Sequence, residues 1–598
     1  LTRLRPSHRI APRALPALRP HRPHRPHRPH RPFHHLSLAV SASLCGLAAL
    51  ATPQAARAQQ AADPLPLHHA PTATHAAITP GDLETRLYLY ADDSMAGRRA
   101  GTPSDLEATA YIAAEFKRVG LVPAGDSGTF FQNIPLVTYA SDTTAALTVG
   151  GRALHFGTDY VPLGRRSPRS IDGVQVVYGG RLCDSAAARL SEGQAAGKMV
   201  LYTLGPGGAA EQMACMRAGD RGALPKSTGI IIPGLQLLPP PFLASVRRPQ
   251  TVLERPGEET TPGPMVLLVS PEAVPALFPG SLDSAQVGAP GATIEQGPRF
   301  TRTPAPARNV IAILPGSDPR LKGEYVALGA HNDHIGVNPI AVDHDSIRAY
   351  NEALHALGAV DPFSEVDPAR RAAIHINVDS LHHIRPARRD SINNGADDDG
   401  SGTVALLEIA ENLAATKHHP RRSILFVSHT GEELGLFGSE YFTDHPTVPR
   451  DSIVAQLNMD MIGRGDSADI AGGGPAYLQL VGSRRLSTEL GDIVEAVNKT
   501  EAQPFRFDYQ YDANGHPENI YCRSDHYEYA RFGIPIVFFT TGQHFDYHQV
   551  TDEPEYIDYQ HLAHVTSFVR DVALRVANLD HRPLVDHPKP DPHGVCRQ

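Results

Sequence analysis

With 598 residues, 41% of them hydrophobic, the chain has material for two or three domains with sizeable cores rather than for one. Its formal net charge of −9 becomes −19 once the ten arginines of residues 1–58 are set aside. So acidic a balance argues against nucleic acid or an anionic membrane surface as partner.

Residues 1–58 join the basic run "HRPHRPHRPHRP" to the apolar "LSLAVSASLCGLAALA" (Leu36 to Ala51) and the small-residue site Ala56-Arg57-Ala58. Together these read as a low-complexity leader and a removed export signal, which predicts a periplasmic or extracellular protein with no stable membrane insertion. Cys45 follows Leu44 rather than a small residue, which weighs against lipid attachment. Cys183 and Cys215 share one segment and could pair in an oxidising compartment, whereas Cys522 and Cys596 are less easily matched.

Residues 59–135 contain two helical patterns separated by a glycine-rich turn. From 136 to 303, β-branched runs such as "GVQVVYGG" and "PMVLLVS" alternate with proline- and glycine-rich loops, which predicts an inserted β-rich module. From 304 to 580, strand-like runs such as "YVALGA", "RSILFVSHT" and "IPIVFFTTG" alternate with helical stretches. That pattern predicts an α/β fold with a mixed central sheet and helices on both faces, in which ligands gather at the carboxyl ends of strands. An insertion at about 337–390 is expected to be a partly helical excursion near the site, its acids and histidines lining the substrate cleft or, the favoured reading, decorating a surface, and the proline-rich tail 581–598 is expected to be loosely ordered.

The polar residues of interest fall at those strand ends. His331 and Asp333 follow the first strand in "GAHNDHIG"; imidazole and carboxylate are zinc ligands, and a ligating histidine gives its other ring proton to a carboxylate, a role open to Asp333. Asp397, Asp398 and Asp399 precede a helix in "NNGADDDGSG"; capping would account for one acid, but three ionise together only beside a cation. Glu432 and Glu433 end the apolar strand of "SILFVSHTGEELG", where one could bind metal while the other takes a proton from water. Asp460 stands among apolar residues in "QLNMDMIG", a costly position for an unpaired carboxylate. Tyr547 and His548 follow the last strand in "TTGQHFDYHQV", with His544 a second candidate ligand.

These motifs, with "TGEELGLFGSEYF" and "SDHYEYARFGIPIVFFTTG", closely resemble the dinuclear zinc aminopeptidases of the bacterial leucyl aminopeptidase and aminopeptidase Y type, relatives of glutamate carboxypeptidase. The resemblance covers roughly 78–135 and 309–578, and the β-rich module resembles a protease-associated domain by position and texture. It implies a zinc exopeptidase-like (phosphorylase/hydrolase-like) fold and two zinc ions bridged by Asp398. His331 and Asp460 would complete one metal site, and Glu433 and His548 the other. It also implies Glu432 as general base, Asp333 as the acid orienting the histidine, Tyr547 as an oxyanion stabiliser, and a cis peptide at Asp398-Asp399. His526 matches a family position but is expected to pack rather than ligate. The implied activity is hydrolysis of N-terminal residues from peptides with a free N-terminus. A carboxypeptidase or dipeptidase, glutaminyl cyclisation on a related fold, and a non-catalytic receptor-like relative are the alternatives.

Overall fold

The computed structural model describes residues 67–598, except 164–169, 183, 185–187, 189, 206, 209–210, 213–223, 225, 239–242, 244–247, 255–263 and 471. The leader and the Cys183–Cys215 pair lie outside the described residues.

The principal sheet follows from four short apolar strands, Tyr325–His331, Ser423–His429, Ile453–Met459 and Ile536–Thr540, which pair in parallel. Successive side chains alternate between its two faces. Val326, Leu328, Ile424 and Phe426 pack on one face, against Leu87, Phe116, Leu407 and Phe568 of the helices Pro80–Tyr90, Pro103–Arg118, Gly402–Ala414 and Tyr559–Ala577. Ala327, Leu425 and Val427 pack on the other face, with Phe442 and Tyr529 from the helices Phe437–Asp444 and His526–Ala530. Burial on both faces explains why these strands are continuously apolar rather than alternating.

Antiparallel strands extend the sheet at both ends, making it mixed. Phe300–Leu314 pairs with Ser423–His429 and with Phe131–Ser141, and Gln250–Leu253 forms that edge; Tyr477–Val481 pairs with Ile536–Thr540 on the far side. A second, eight-stranded sheet is built from strands between Leu147 and Gln296 and has its own apolar clusters. Among the described residues, no helix is long and apolar enough to cross a membrane.

Two stretches depart from the sequence-based expectation. The insertion is a small layer of its own: the strands Gly336–Asp343 and Arg389–Asn393 pair antiparallel and enclose three helices, His344–His355, Pro368–Ala372 and Val378–Ile384. It does not merely decorate the surface. Arg348 pairs with Asp546 and lies 3.5 Å over the Tyr556 ring, and Arg388 pairs with Glu555 at 2.8 Å, so two charged anchors fix it to the segment that carries His548. The tail, expected to be loose, is tied down by a Cys522–Cys596 disulfide and by Gln598, whose amide donates to the Tyr511 and Ala513 carbonyls and accepts from the Tyr521 N–H.

Candidate metal centre

The five ligands that the resemblance implied, His331, Asp398, Glu433, Asp460 and His548, come together in one buried cluster. Among the described residues, two groups present ligand atoms mutually within 4.8 Å: His331, Asp398 and Asp460, and His334, Asp398, Glu433 and His548. Asp398 belongs to both. Its Oδ1 lies 3.1 Å from His331 Nε2 and its Oδ2 3.1 Å from His548 Nε2, so each oxygen faces a different group. Burial alone would raise this carboxyl, but the adjoining imidazoles of His331 and His548 hold it well below the usual range.

His334 was not singled out from the sequence. Its Nδ1 lies 2.7 Å from Glu433 Oε1 and 3.8 Å from Asp398 Oδ2, and its ring is fully buried. The available signal was its place three residues after His331, in the same strand-end loop. His544, the other candidate ligand, instead lies 3.3 Å from Asp397 Oδ2, and His526 stacks on Phe538 at 4.6 Å, away from the cluster.

The donor set fits metal. Imidazole nitrogens and carboxylate oxygens are zinc's ligands. His331 Nε2, both ring nitrogens of His334, Glu433 Oε1 and His548 Nε2 are buried without a hydrogen-bond partner, a costly state that a cation at the centre of the cluster relieves.

The three consecutive aspartates divide their tasks. Asp398 faces both imidazoles, while Asp399 accepts the N–H groups of His331 at 2.9 Å and of Gly402 at 2.9 Å, capping the Gly402–Ala414 helix. Gly402 is required here, since a Cβ would sit 2.4 Å from Asp399 Oδ1 and from the Met459 carbonyl oxygen. Asp397 accepts the Gly463 N–H at 2.6 Å. Beneath them, Asp552 accepts the N–H groups of Asp397 and Asp398 and is held by Arg464 at 3.5 Å. The peptide between Asp398 and Asp399 is cis, as the resemblance implied.

Supporting contacts fix the remaining candidates. Ser524 Oγ donates to Asp460 Oδ2 at 2.7 Å. His331 Nδ1 lies 3.0 Å from the main-chain oxygen of Asp333 and 3.8 Å from its carboxylate. The orienting bond expected of the Asp333 side chain is therefore made by its backbone. That carboxylate instead accepts the Glu432 N–H at 3.1 Å, holding the turn that carries both glutamates, and burial raises it to about 7. His548 adopts a left-handed backbone, φ 56°, as does Met461 beside Asp460, φ 58°. Such conformations cost about 1–3 kcal/mol outside glycine and gather at functional sites.

Glu432 and Glu433 diverge as neighbours in sequence. Glu433 Oε2 is 2.9 Å from His548 Nε2, and although burial opposes it, the His548 and His334 imidazoles hold its carboxyl down at about 2. Glu432 turns toward a cavity that it lines with Asp460, Met461, Tyr511, Arg523 and Tyr547. Burial, with Asp460 and Glu433 nearby, pushes its carboxyl well above the usual range despite His331. Tyr547 stacks on His548 with centroids 3.9 Å apart, and its hydroxyl receives a hydrogen bond from Arg523 at 3.3 Å.

The chain is 29% identical over 197 residues to leucine aminopeptidase 1 of Aspergillus fumigatus, covering 29% of this chain and 47% of that protein. It is 39% identical over 69 residues to a probable zinc metalloprotease of Pyrenophora tritici-repentis, covering 12% and 14%. The chain thus spans less than half the length of these curated relatives. Among solved structures, an aminopeptidase from Aneurinibacillus sp. strain AM-1 aligns over 87% of this chain and 99% of its own, at 15% identity and TM-score 0.44. A zinc aminopeptidase from Bacillus subtilis aligns over 83% and 95%, at 16% identity and TM-score 0.42. The model of Peptidase family M28 matches residues 372–573, the span that holds Asp398, Glu432, Glu433, Asp460, Tyr547 and His548, and the chain carries a domain of that family.

Proposed function

We propose that the protein is an exported zinc aminopeptidase that removes N-terminal residues from peptides, working with two zinc ions and Glu432 as general base. The observation that carries this reading is the sharing of Asp398 between two groups of ligand atoms, with Glu432 beside them and facing a cavity. His331, Asp398 and Asp460 would hold one ion, and His334, Asp398, Glu433 and His548 the other. Bound zinc would supply Lewis acidity, acidifying water and polarising a scissile carbonyl.

The rest of the chemistry belongs to side chains. Glu432, which faces the cavity beside the ligand cluster, is placed to take a proton from water at Oε1 or Oε2 and return it to the departing amine. Tyr547 can donate its hydroxyl proton to the oxyanion; burial keeps that phenol far above its ordinary range, so it stays a donor at neutral pH. Ser524 and the Asp333 backbone hold Asp460 and His331 in place, and the turn secured by Asp333 aims Glu432. The Cys522–Cys596 disulfide suits an oxidising compartment and supports the export reading.

A carboxypeptidase is the second reading, and one feature favours it. Arg523 lines the cavity with contacts of only 3.3 Å to Tyr547 and 3.4 Å to Glu518, which leaves its guanidinium able to receive a terminal carboxylate. Zinc-loaded protein incubated with peptides blocked at either end separates the two. The proposal expects residues to be released from free N-termini and N-acetylated peptides to stay intact. Trimming of N-acetylated peptides would establish the second reading, and no release from any peptide would overturn both.

A further inference from the structure

We propose that Phe363, carried by the insertion, contacts substrate and selects peptides with a large apolar side chain on the residue directly across the scissile bond from the terminal one. This rests on the exopeptidase reading above and adds to it a substrate class.

Phe363 is 62% exposed, yet its ring stands 6.4 Å from Tyr547 and 6.4 Å from His548 in edge-on geometry. An isolated exposed phenylalanine is unremarkable on a protein surface. This one is held beside a candidate metal ligand and the candidate oxyanion donor. The turn that presents it is fixed: buried Asp361 accepts the Phe363 N–H and the Ser364 hydroxyl, each at 2.9 Å, and Arg371 donates to the Ser364 carbonyl at 2.9 Å. His355, on the helix leading into the turn, packs on Phe545 at 5.6 Å, and Arg348 on that same helix pairs with Asp546. The ring is therefore preorganised, and a ligand that covers it does not first have to order it.

The cavity beside Glu432 assigns the two sides of the substrate. It offers about 60 Å³ to the centres of water molecules. That exceeds the roughly 10–15 Å³ that a single water requires. It is lined by Asp398, Glu432 and Asp460 and walled by Tyr511, Ile520 and Phe538. Tyr547 lines this cavity and also meets the Phe363 ring, so a peptide whose terminal side chain enters the cavity would bring its next residue to Phe363. A side chain laid on that ring gains an aromatic or aliphatic contact that glycine cannot make.

The test uses two peptides with the same terminal residue, one with phenylalanine and one with glycine in second place, on zinc-loaded wild type, Phe363→Ala and Phe363→Leu. The expected result is that Phe363→Ala lowers kcat/KM for the phenylalanine peptide by roughly five- to tenfold, mainly through KM, and leaves the glycine peptide within about twofold. Phe363→Leu should fall between, and zinc content should be the same in all three proteins. Calorimetric binding of the phenylalanine peptide in the Glu432→Gln background should weaken by the same factor when Phe363→Ala is added. Equal effects on both peptides, or none, would overturn the proposal while leaving the exopeptidase reading intact. Absence of cleavage by the wild type would overturn that reading and this proposal with it.

Discussion

Two adjacent glutamates at the end of one strand have opposite electrostatic fates. Glu433 lies against two imidazoles and stays ionised, whereas Glu432 faces a cavity, where burial raises its carboxyl. Their substitutions should differ accordingly. Glu432→Gln is expected to keep its zinc, measured by metal analysis of the dialysed protein, while turnover of an aminoacyl chromophore falls by about 10²–10⁴. Glu433→Ala should lose zinc together with activity. His334→Ala is the sharper case, because this histidine joins only one of the two groups of ligand atoms. It should weaken one zinc equivalent by roughly 10-fold or more and leave the second unchanged, read by competition with a chelator.

At the scale of elements, the site is a set of strand ends braced from behind. The helix after the triple aspartate is held in place by Arg86, which pairs with Glu115 at 2.6 Å, Glu408 at 2.9 Å and Glu411 at 2.5 Å across three helices while only 1% exposed. Arg118 also pairs with Glu115 and Glu411, but removing Arg86 leaves the buried Glu408 without its cation. Arg86→Ala should therefore destabilise by about 3–5 kcal/mol in chemical denaturation. On the other face, His526 is fully buried and stacked on Phe538, and burial lowers its imidazole to about 3. The unfolded chain, with an ordinary value near 6.5, then binds the additional proton, so stability is present above about pH 6.5 and drains away as pH falls toward 3. His526→Phe keeps the stack and removes the titration. Its acid-unfolding midpoint should move to lower pH, by up to about 4–5 kcal/mol of retained stability at pH 3.

For the molecule as a whole, the insertion and the tail both return to the neighbourhood of the site. The disulfide joins residues 74 apart and fixes the tail beside Ile520 and Arg523, which line the cavity. Closing a loop of that length should contribute about 2–4 kcal/mol, so Cys596→Ser is expected to lower the unfolding midpoint under non-reducing conditions and to reduce its dependence on reductant.

Much of this was legible in the sequence because it is local. Burial on both sheet faces leaves the continuously apolar run Ile424 to Val427, a strand on inspection; Glu432, Glu433 and Asp460 follow such strands closely, His548 lies on the loop beyond one, and Asp398 lies just before a helix. Clustered carboxylates then require a cation wherever the strands are parallel neighbours. Tertiary structure alone decided what depends on approach between distant segments. His334 looked like one more loop histidine until Gly395, Glu433 and His548 closed around it. The role expected of the Asp333 side chain passed to its backbone, because a two-residue separation sets no carboxylate geometry. Phe363 and Cys596 reach the site across roughly 185 and 74 residues of chain. No hydrophobic period records such a contact, since it is made by the docking of whole elements through Arg348, Arg388 and a disulfide rather than by the pattern of the segment itself.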